Sequence, residues 1–181
     1  MVINEKALLS RMKDAYNGGG YTVAVNNHTH IILTGTWAAE IDSDNMPRDV
    51  LGLMAVHMGF LPEPDTAHKI TKTKEGPQCQ CMIYEEAIKP IEALENLVGW
   101  QAVTKTVLTM EGYNVWQQNQ GMAVHLINPD LETMIRKKDD VKLSGNAFRA
   151  RGEISRVWVM GIAEDPEDAK MRCLSGIRWT A

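Results

Sequence analysis

The side chains best suited to chemistry near neutral pH in this 181-residue chain are its five histidines and three cysteines. Imidazole and thiolate are common bases, nucleophiles and soft-metal ligands. His28 and His30 stand two apart in a segment of strand character, which would place both on one face. With His57 or His125 brought in by folding they would complete a three-histidine zinc site. Alternation with Thr29, Ile31 and Leu33 is also what any half-buried strand shows, and that reading is preferred. His57 falls inside an apolar helical run and reads as a satisfied core or boundary histidine. Cys79-Gln80-Cys81 offers two thiols on one strand face, yet structural zinc needs four ligands, usually from C-x2-C pairs, and no second pair exists. We read these thiols as apolar filling.

Carboxylate chemistry is no better supplied. Asp42 and Asp44 could hold magnesium, but a restriction-type nuclease also needs an acid-x-lysine strand, and none is convincing. The G-x-S-x-G elbow, the phosphate loop and the G-x-G-x-x-G run are all absent. Gly18-Gly19-Gly20 lies between a helix and a strand, whereas a phosphate cradle runs into a helix N-terminus, so it reads as a helix stop. The expectation is a protein that is not an enzyme and uses no metal and no cofactor.

Charge is distributed more tellingly than its total of −4. Glu40, Asp42, Asp44, Asp49, Glu63 and Asp65 gather against Arg48 alone, and Glu164, Asp165, Glu167 and Asp168 form a second acidic group. Between them Arg136, Lys137, Lys138, Lys142, Arg149, Arg151 and Arg156 face Asp139, Asp140 and Glu153. Such a bipolar surface is either a solvated face or a means of steering a charged partner. Eleven methionines and five tryptophans against two phenylalanines suit adaptable packing and interaction hot spots. Trp116, set among Asn114, Gln117 and Gln118, is the tryptophan expected at the surface.

The elements that must position these groups read as follows. Asn4 caps a helix with Ala7, Leu8, Met12 and Ala15 at helical spacing. Tyr21 to Val25 and His28 to Thr34 flank Asn26-Asn27, a pair that tolerates positive φ in a tight turn, and Trp37 to Ile41 gives a third strand. Asn45-Met46-Pro47 opens a second helix that closes at Gly59. A hairpin over Ala67 to Lys74 and Gln78 to Tyr84 precedes a helix from Glu85 to Leu97, with Pro90 as a kink or boundary. Thr104 to Met110, Tyr113 to Gln118 and Met122 to Ile127 read as strands, followed by a short helix from Asn128 to about Lys137. Arg156 to Ala163 could pair with Met171 to Thr180, unless Pro166 to Leu174 opens as a helix.

The fold expected is therefore α+β: antiparallel hairpins forming a sheet with three to four helices packed on it, in one domain over 1–181. Gly20-Tyr21-Thr22-Val23 with Asn27 echoes Gly112-Tyr113-Asn114-Val115 with Asn119. Chance accounts for four identities, but a true duplication would give half-units 1–65 and 100–181 joined by a hairpin and helix. Buried positions should include Leu8, Met12, Val23, Val25, Leu51, Met54 and Trp158. Charges within Met1-Val2-Ile3-Asn4-Glu5-Lys6 do not suit a signal peptide, no apolar run approaches the ~18 residues that span a bilayer, and an odd cysteine count is no disulfide framework. A cytoplasmic protein without a membrane partner is expected.

Ile3-Asn4-Glu5-Lys6-Ala7-Leu8-Leu9, Gly19-Gly20-Tyr21-Thr22-Val23-Ala24-Val25 and Met46-Pro47-Arg48-Asp49-Val50-Leu51-Gly52-Leu53 resemble small proteins from phages and mobile elements of gut Firmicutes. In size and acidity the chain is similar to an anti-CRISPR family that acts on type II-A Cas9. The resemblance implies a protein in the cytoplasm of the bacterial host that binds Cas9, or Cas9 with its guide RNA, and blocks target engagement or cleavage. Cas9 holds nucleic acid in basic channels and reads its flanking motif through arginines, so acidic residues could compete for those groups. Glu40, Asp42, Asp44, Asp49, Glu164, Asp165, Glu167 and Asp168, with Trp116, are the candidate partner-binding residues. Binding that locks a conformation is the alternative mode. A competing reading is a phage nucleic-acid-binding accessory protein that would use Arg136, Lys137, Lys138, Lys142, Arg149 and Arg151 on the backbone and Trp116 for stacking. A third is a small hydrolase or nucleotide-binding protein using His28, His30 and nearby acids.

Overall fold

A computed structural model of the protein describes residues 1–121, 123–136 and 140–164. Helix α1 (Glu5–Gly18) begins where Asn4 Oδ1 accepts the Ala7 amide at 3.4 Å, and buries Leu8 and Met12. Burying two such side chains stabilises its docking by about 3–6 kcal/mol. The helix ends at Gly19, and Gly20 N–H reaches the Ala15 carbonyl at 2.7 Å. Only glycine fits at position 20, because φ is +97° and an added Cβ would stand 2.3 Å from the Ile70 carbonyl oxygen.

Strands β1 (Tyr21–Val25), β2 (Thr29–Leu33) and β3 (Trp37–Asp42) form an antiparallel meander. The first turn is closed by a side chain rather than by positive φ. Asn26 Oδ1 accepts the amides of His28 at 2.8 Å and Thr29 at 2.7 Å, so His28 belongs to the turn and does not share a strand face with His30. A 3-10 turn (Ser43–Asn45) leads to α2 (Arg48–Met58), which stops at Gly59 with φ +83°. The hairpin β4 (Thr66–Thr73) and β5 (Gly76–Met82) follows, then α3 (Tyr84–Glu95), which continues through Pro90. Strands β6 (Gln101–Met110), β7 (Tyr113–Gln118) and β8 (Val124–Ile127) lead to α4 (Pro129–Glu132). The chain then returns through β9 (Val141–Ser144), β10 (Ala147–Arg151), β11 (Ser155–Met160) and β12 (Ile162–Glu164).

All twelve strands join one antiparallel sheet in the order β12-β8-β7-β6-β9-β10-β11-β3-β2-β1-β4-β5. The α+β class with helices on an antiparallel sheet is as the pattern of residues implies, with strands dominating. Three elements differ from expectation. The basic stretch from Arg136 to Arg156 contains β9 and β10, whose Val141, Leu143, Phe148 and Ala150 are buried while the cations stand at alternate positions. Helix α4 stops at Glu132, short of Lys137, and Ile135 instead bridges to Ile3. The strand expected from Arg156 to Ala163 breaks at Gly161, where an added Cβ would stand 2.5 Å from the Phe148 ring. Both neighbours of β11 are taken by β10 and β3, and Met171 to Thr180 lies outside the described residues.

The two sheet faces are packed unequally. Tyr21, Val23, Ile32, Ile41, Phe148 and Val157 lie in a continuous core with Leu8 and Met12 of α1 and with Val50 and Met54 of α2. On the opposite face α3 contributes Ala87 and Ile91 to a smaller cluster with Ala24, Ile31, Ala38, Ala67 and Trp158. Leu8, Met12, Val23, Val25, Met54 and Trp158 are buried as expected. Leu51 is only half-buried, because the inward stripe of α2 runs through Val50, Met54, His57 and Met58.

Candidate functional site

That inward stripe fixes what α2 shows to the outside. Asp49 and Gly52 are exposed, Val56 is 72% exposed, and just beyond Gly59 come Phe60 and Leu61 at 45% and 54%. Exposed carboxylates flank these apolar residues along the chain: Asp44 and Asp49 before them, Glu63 and Asp65 after them. None of these four enters an ion pair among the described residues. Apolar centre and charged rim together are the ordinary anatomy of a protein interface.

The other candidate acids are placed differently. Asp42 Oδ1 accepts the Asp44 amide at 2.9 Å and so caps the 3-10 turn. Glu40 lies on the sheet face beneath α3, 3.3 Å from Arg156 Nη1, which is also 3.3 Å from Glu95 Oε1. Burial pushes the Glu40 carboxyl above its ordinary range, with Arg156 opposing. Arg149 lies 4.0 Å from Glu95 Oε2, and its guanidinium carbon is 4.0 Å from the centre of the Trp100 ring. Glu164 ends β12, while Asp165, Glu167 and Asp168 lie outside the described residues.

The basic candidates divide in the same way. Arg149 and Arg156 are engaged in this cluster, whereas Arg136, Lys142 and Arg151 are exposed; Lys137 and Lys138 lie outside the described residues. Trp116 is a correction. It is fully buried, with Nε1 3.3 Å from Glu132 Oε2, and offers no ring to a protein partner or a base. Glu132, itself 1% exposed, also accepts from Asn114 and from Lys105 Nζ at 2.9 Å, so the polar neighbours of Trp116 mark a buried network rather than a surface.

Each buried histidine has its own surroundings. His30 Nδ1 is 3.1 Å from Ser43 Oγ, and His57 Nδ1 is 2.9 Å from the Tyr21 hydroxyl while its ring stacks on Tyr16 at 3.9 Å. His125 packs edge-on against Phe148, and neither ring nitrogen is hydrogen-bonded among the described residues. Burial pushes all three below the usual imidazole value. No group of three or more His, Cys, Asp or Glu side chains is placed to hold a metal ion among the described residues. Cys79 is half-buried and Cys81 exposed on β5, an edge strand, so the pair is not the interior filling expected; Cys173 lies outside the described residues.

Two features escaped the reading of the sequence. The apolar strip on α2 was legible in principle, since a helical wheel through Val50, Met54 and Met58 leaves Val56 outside. The cluster of Glu40, Glu95, Arg149 and Arg156 depends on strand register and had no local signal. Among the described residues no helix is long and apolar enough to cross a membrane. No protein-family model and no curated protein matches the chain.

Proposed function

We propose that the chain is a non-enzymatic binding protein that docks on a basic protein surface through the outer side of α2, and that this surface belongs to a type II-A Cas9. The observation that carries the docking reading is the exposed strip of Val56, Phe60 and Leu61 between unpaired carboxylates at Asp44, Asp49, Glu63 and Asp65. An apolar patch excludes water at the centre of a contact, and free carboxylates at its rim raise the rate at which a basic partner arrives. Cas9 as the partner follows from the resemblance described above, and inhibition follows from occupying a channel that must hold nucleic acid. In this reading the protein acts in the bacterial cytoplasm, where Cas9 meets its target.

The nucleic-acid-binding alternative loses its stacking residue with the burial of Trp116, and Arg149 is engaged by Glu95; Arg136, Lys142 and Arg151 are exposed, and Lys137 and Lys138 lie outside the described residues. The test is target-DNA cleavage by guide-loaded type II-A Cas9, with a gel shift on DNA alone in parallel. Wild-type protein should suppress cleavage and Val56→Asp should restore it, with no shift of free DNA. Unimpaired cleavage at saturating wild-type protein would refute the reading, and a shift of free DNA would favour the nucleic-acid alternative.

A further inference from the structure

Cys79 and Cys81 stand two residues apart on β5, so both thiols leave the same face of the sheet. At the rise of a strand their Cα atoms lie about 6.6 Å apart, which lets the two sulfur atoms turn toward one point. Both thiols are free, Cys81 exposed and Cys79 half-buried, and they are close enough for charge on Cys81 to act on Cys79. β5 is the last strand of the sheet, and among the described residues no further strand pairs with its outer edge. Cysteines that serve as apolar filling are covered; this pair is open to solutes.

The register of β4 on β5 supplies the rest of that face. Buried Ile70 stands opposite Cys79, His68 stands opposite Cys81, and Lys72 follows Ile70 on the same side. His68 turns its ring edge-on to Phe60 at 5.2 Å, which leaves the two sulfurs as the soft donors here. Lys72 Nζ donates to Asn17 Oδ1 at 2.9 Å and brings positive charge to the face on which a bis-thiolate complex would be anionic. Thiolates select soft ions, and Cu(I) is satisfied by two of them, whereas structural zinc calls for four donors.

We propose that Cys79 and Cys81 form a two-coordinate site for the soft monovalent ion Cu(I), held as a bis-thiolate. Binding replaces both S–H bonds with S–Cu bonds and releases both protons to water; copper stays in the +1 state, so no electron is exchanged. Burial and the neighbouring Cys81 push the Cys79 thiol above its ordinary range, so it is protonated at neutral pH before the ion binds, and affinity should rise with pH. The site does not rest on the docking reading.

The reduced chain is titrated anaerobically with Cu(I) against the colorimetric chelator bicinchoninate, with ultraviolet thiolate-to-copper absorbance as a second readout. Wild type should withhold about one ion per chain from the chelator. Cys79→Ser and Cys81→Ser should each weaken binding about tenfold or more, while Cys173→Ser binds as wild type does. Should Cys79→Ser fail to fold, Cys81→Ser decides alone, because Cys81 is exposed and its loss removes no packing. Zn(II) at equal concentration should leave the copper absorbance in place. Failure of wild type to withhold Cu(I), wild-type affinity in Cys81→Ser, loss of binding in Cys173→Ser, or displacement of copper by zinc would overturn the proposal.

Discussion

On the sheet face beneath α3, Glu40 and Glu95 each stand 3.3 Å from Arg156, and Arg149 reaches Glu95 at 4.0 Å. At the ends of α2, Asp44, Asp49, Glu63 and Asp65 project into solvent with no ion pair among the described residues. The first set is half-buried and mutually neutralising, so its charges hold β3, β11 and α3 together and are hidden from a partner. The second set contributes little to stability, but its field extends about 8 Å at physiological salt and acts on whatever approaches. Charge count is the same kind of quantity in both regions, and burial decides whether it is spent within the fold or left facing solvent.

The comparison breaks most sharply at Arg156. Removing it as Arg156→Ala leaves Glu40 and Glu95 without their nearest cation, and Glu40 keeps only 17% of its side chain exposed. Because the group is not fully enclosed, the loss should fall below that of a fully buried pair, at about 2 kcal/mol in urea denaturation. A loss under about 0.5 kcal/mol, the usual level for surface substitutions, would mean that this cluster is no more structural than the acids of α2.

A graded effect comes from pH. Burial lowers the folded-state values of His30, His57, His68 and His125, so the unfolded chain binds protons more readily than the fold does. Their contribution to stability is complete above about pH 6.5, the unfolded imidazole value, and is lost as pH falls below it. Glu40, with its carboxyl raised, acts in the opposite sense as pH nears the carboxylate range. Urea midpoints should hold steady above neutrality and decline through mildly acidic pH. A flat profile there would show that the histidines are hydrated in the fold.

The smallest stability effect belongs to α2 itself. Asp44→Lys, Asp49→Lys and Glu63→Lys together should cost about 0.5 kcal/mol, mainly from Asp49 in the first turn of the helix, where a carboxylate favours the N-terminal dipole. Asp65 is left in place because its φ of +59° suits aspartate better than lysine. A loss as large as that of Arg156→Ala would erase the distinction between the regions.

The same physical contrast separates what could be read in the sequence from what could not. Helix α1, the meander β1 to β3 and α2 keep unbroken apolar periods with caps or stops at their ends, so they were legible. Strands β9 and β10 were not, because Lys142, Arg149 and Arg151 occupy every second position on one face and the stretch reads as surface charge. Trp116 looked exposed because its partner Glu132 arrives from sixteen residues away. Arg156 and Glu40 are 116 residues apart in sequence and meet only through the register of β11 on β3. Asp44 and Asp49 are exposed and enter no ion pair among the described residues, as acids in polar local sequence are expected to be, whereas engaged charges carry no such local mark.

The central claim, that the unpaired acids around the α2 strip guide docking on a type II-A Cas9, is tested most directly by association kinetics at low and high salt. Wild-type protein and the variant carrying Asp44→Lys, Asp49→Lys and Glu63→Lys are compared on immobilised Cas9, with and without guide RNA. The account predicts that the variant associates several-fold more slowly at low salt, that the gap narrows as salt rises, and that dissociation changes less than association. Equal association rates at low salt, or no binding of the wild-type protein to Cas9 in either state, would contradict it.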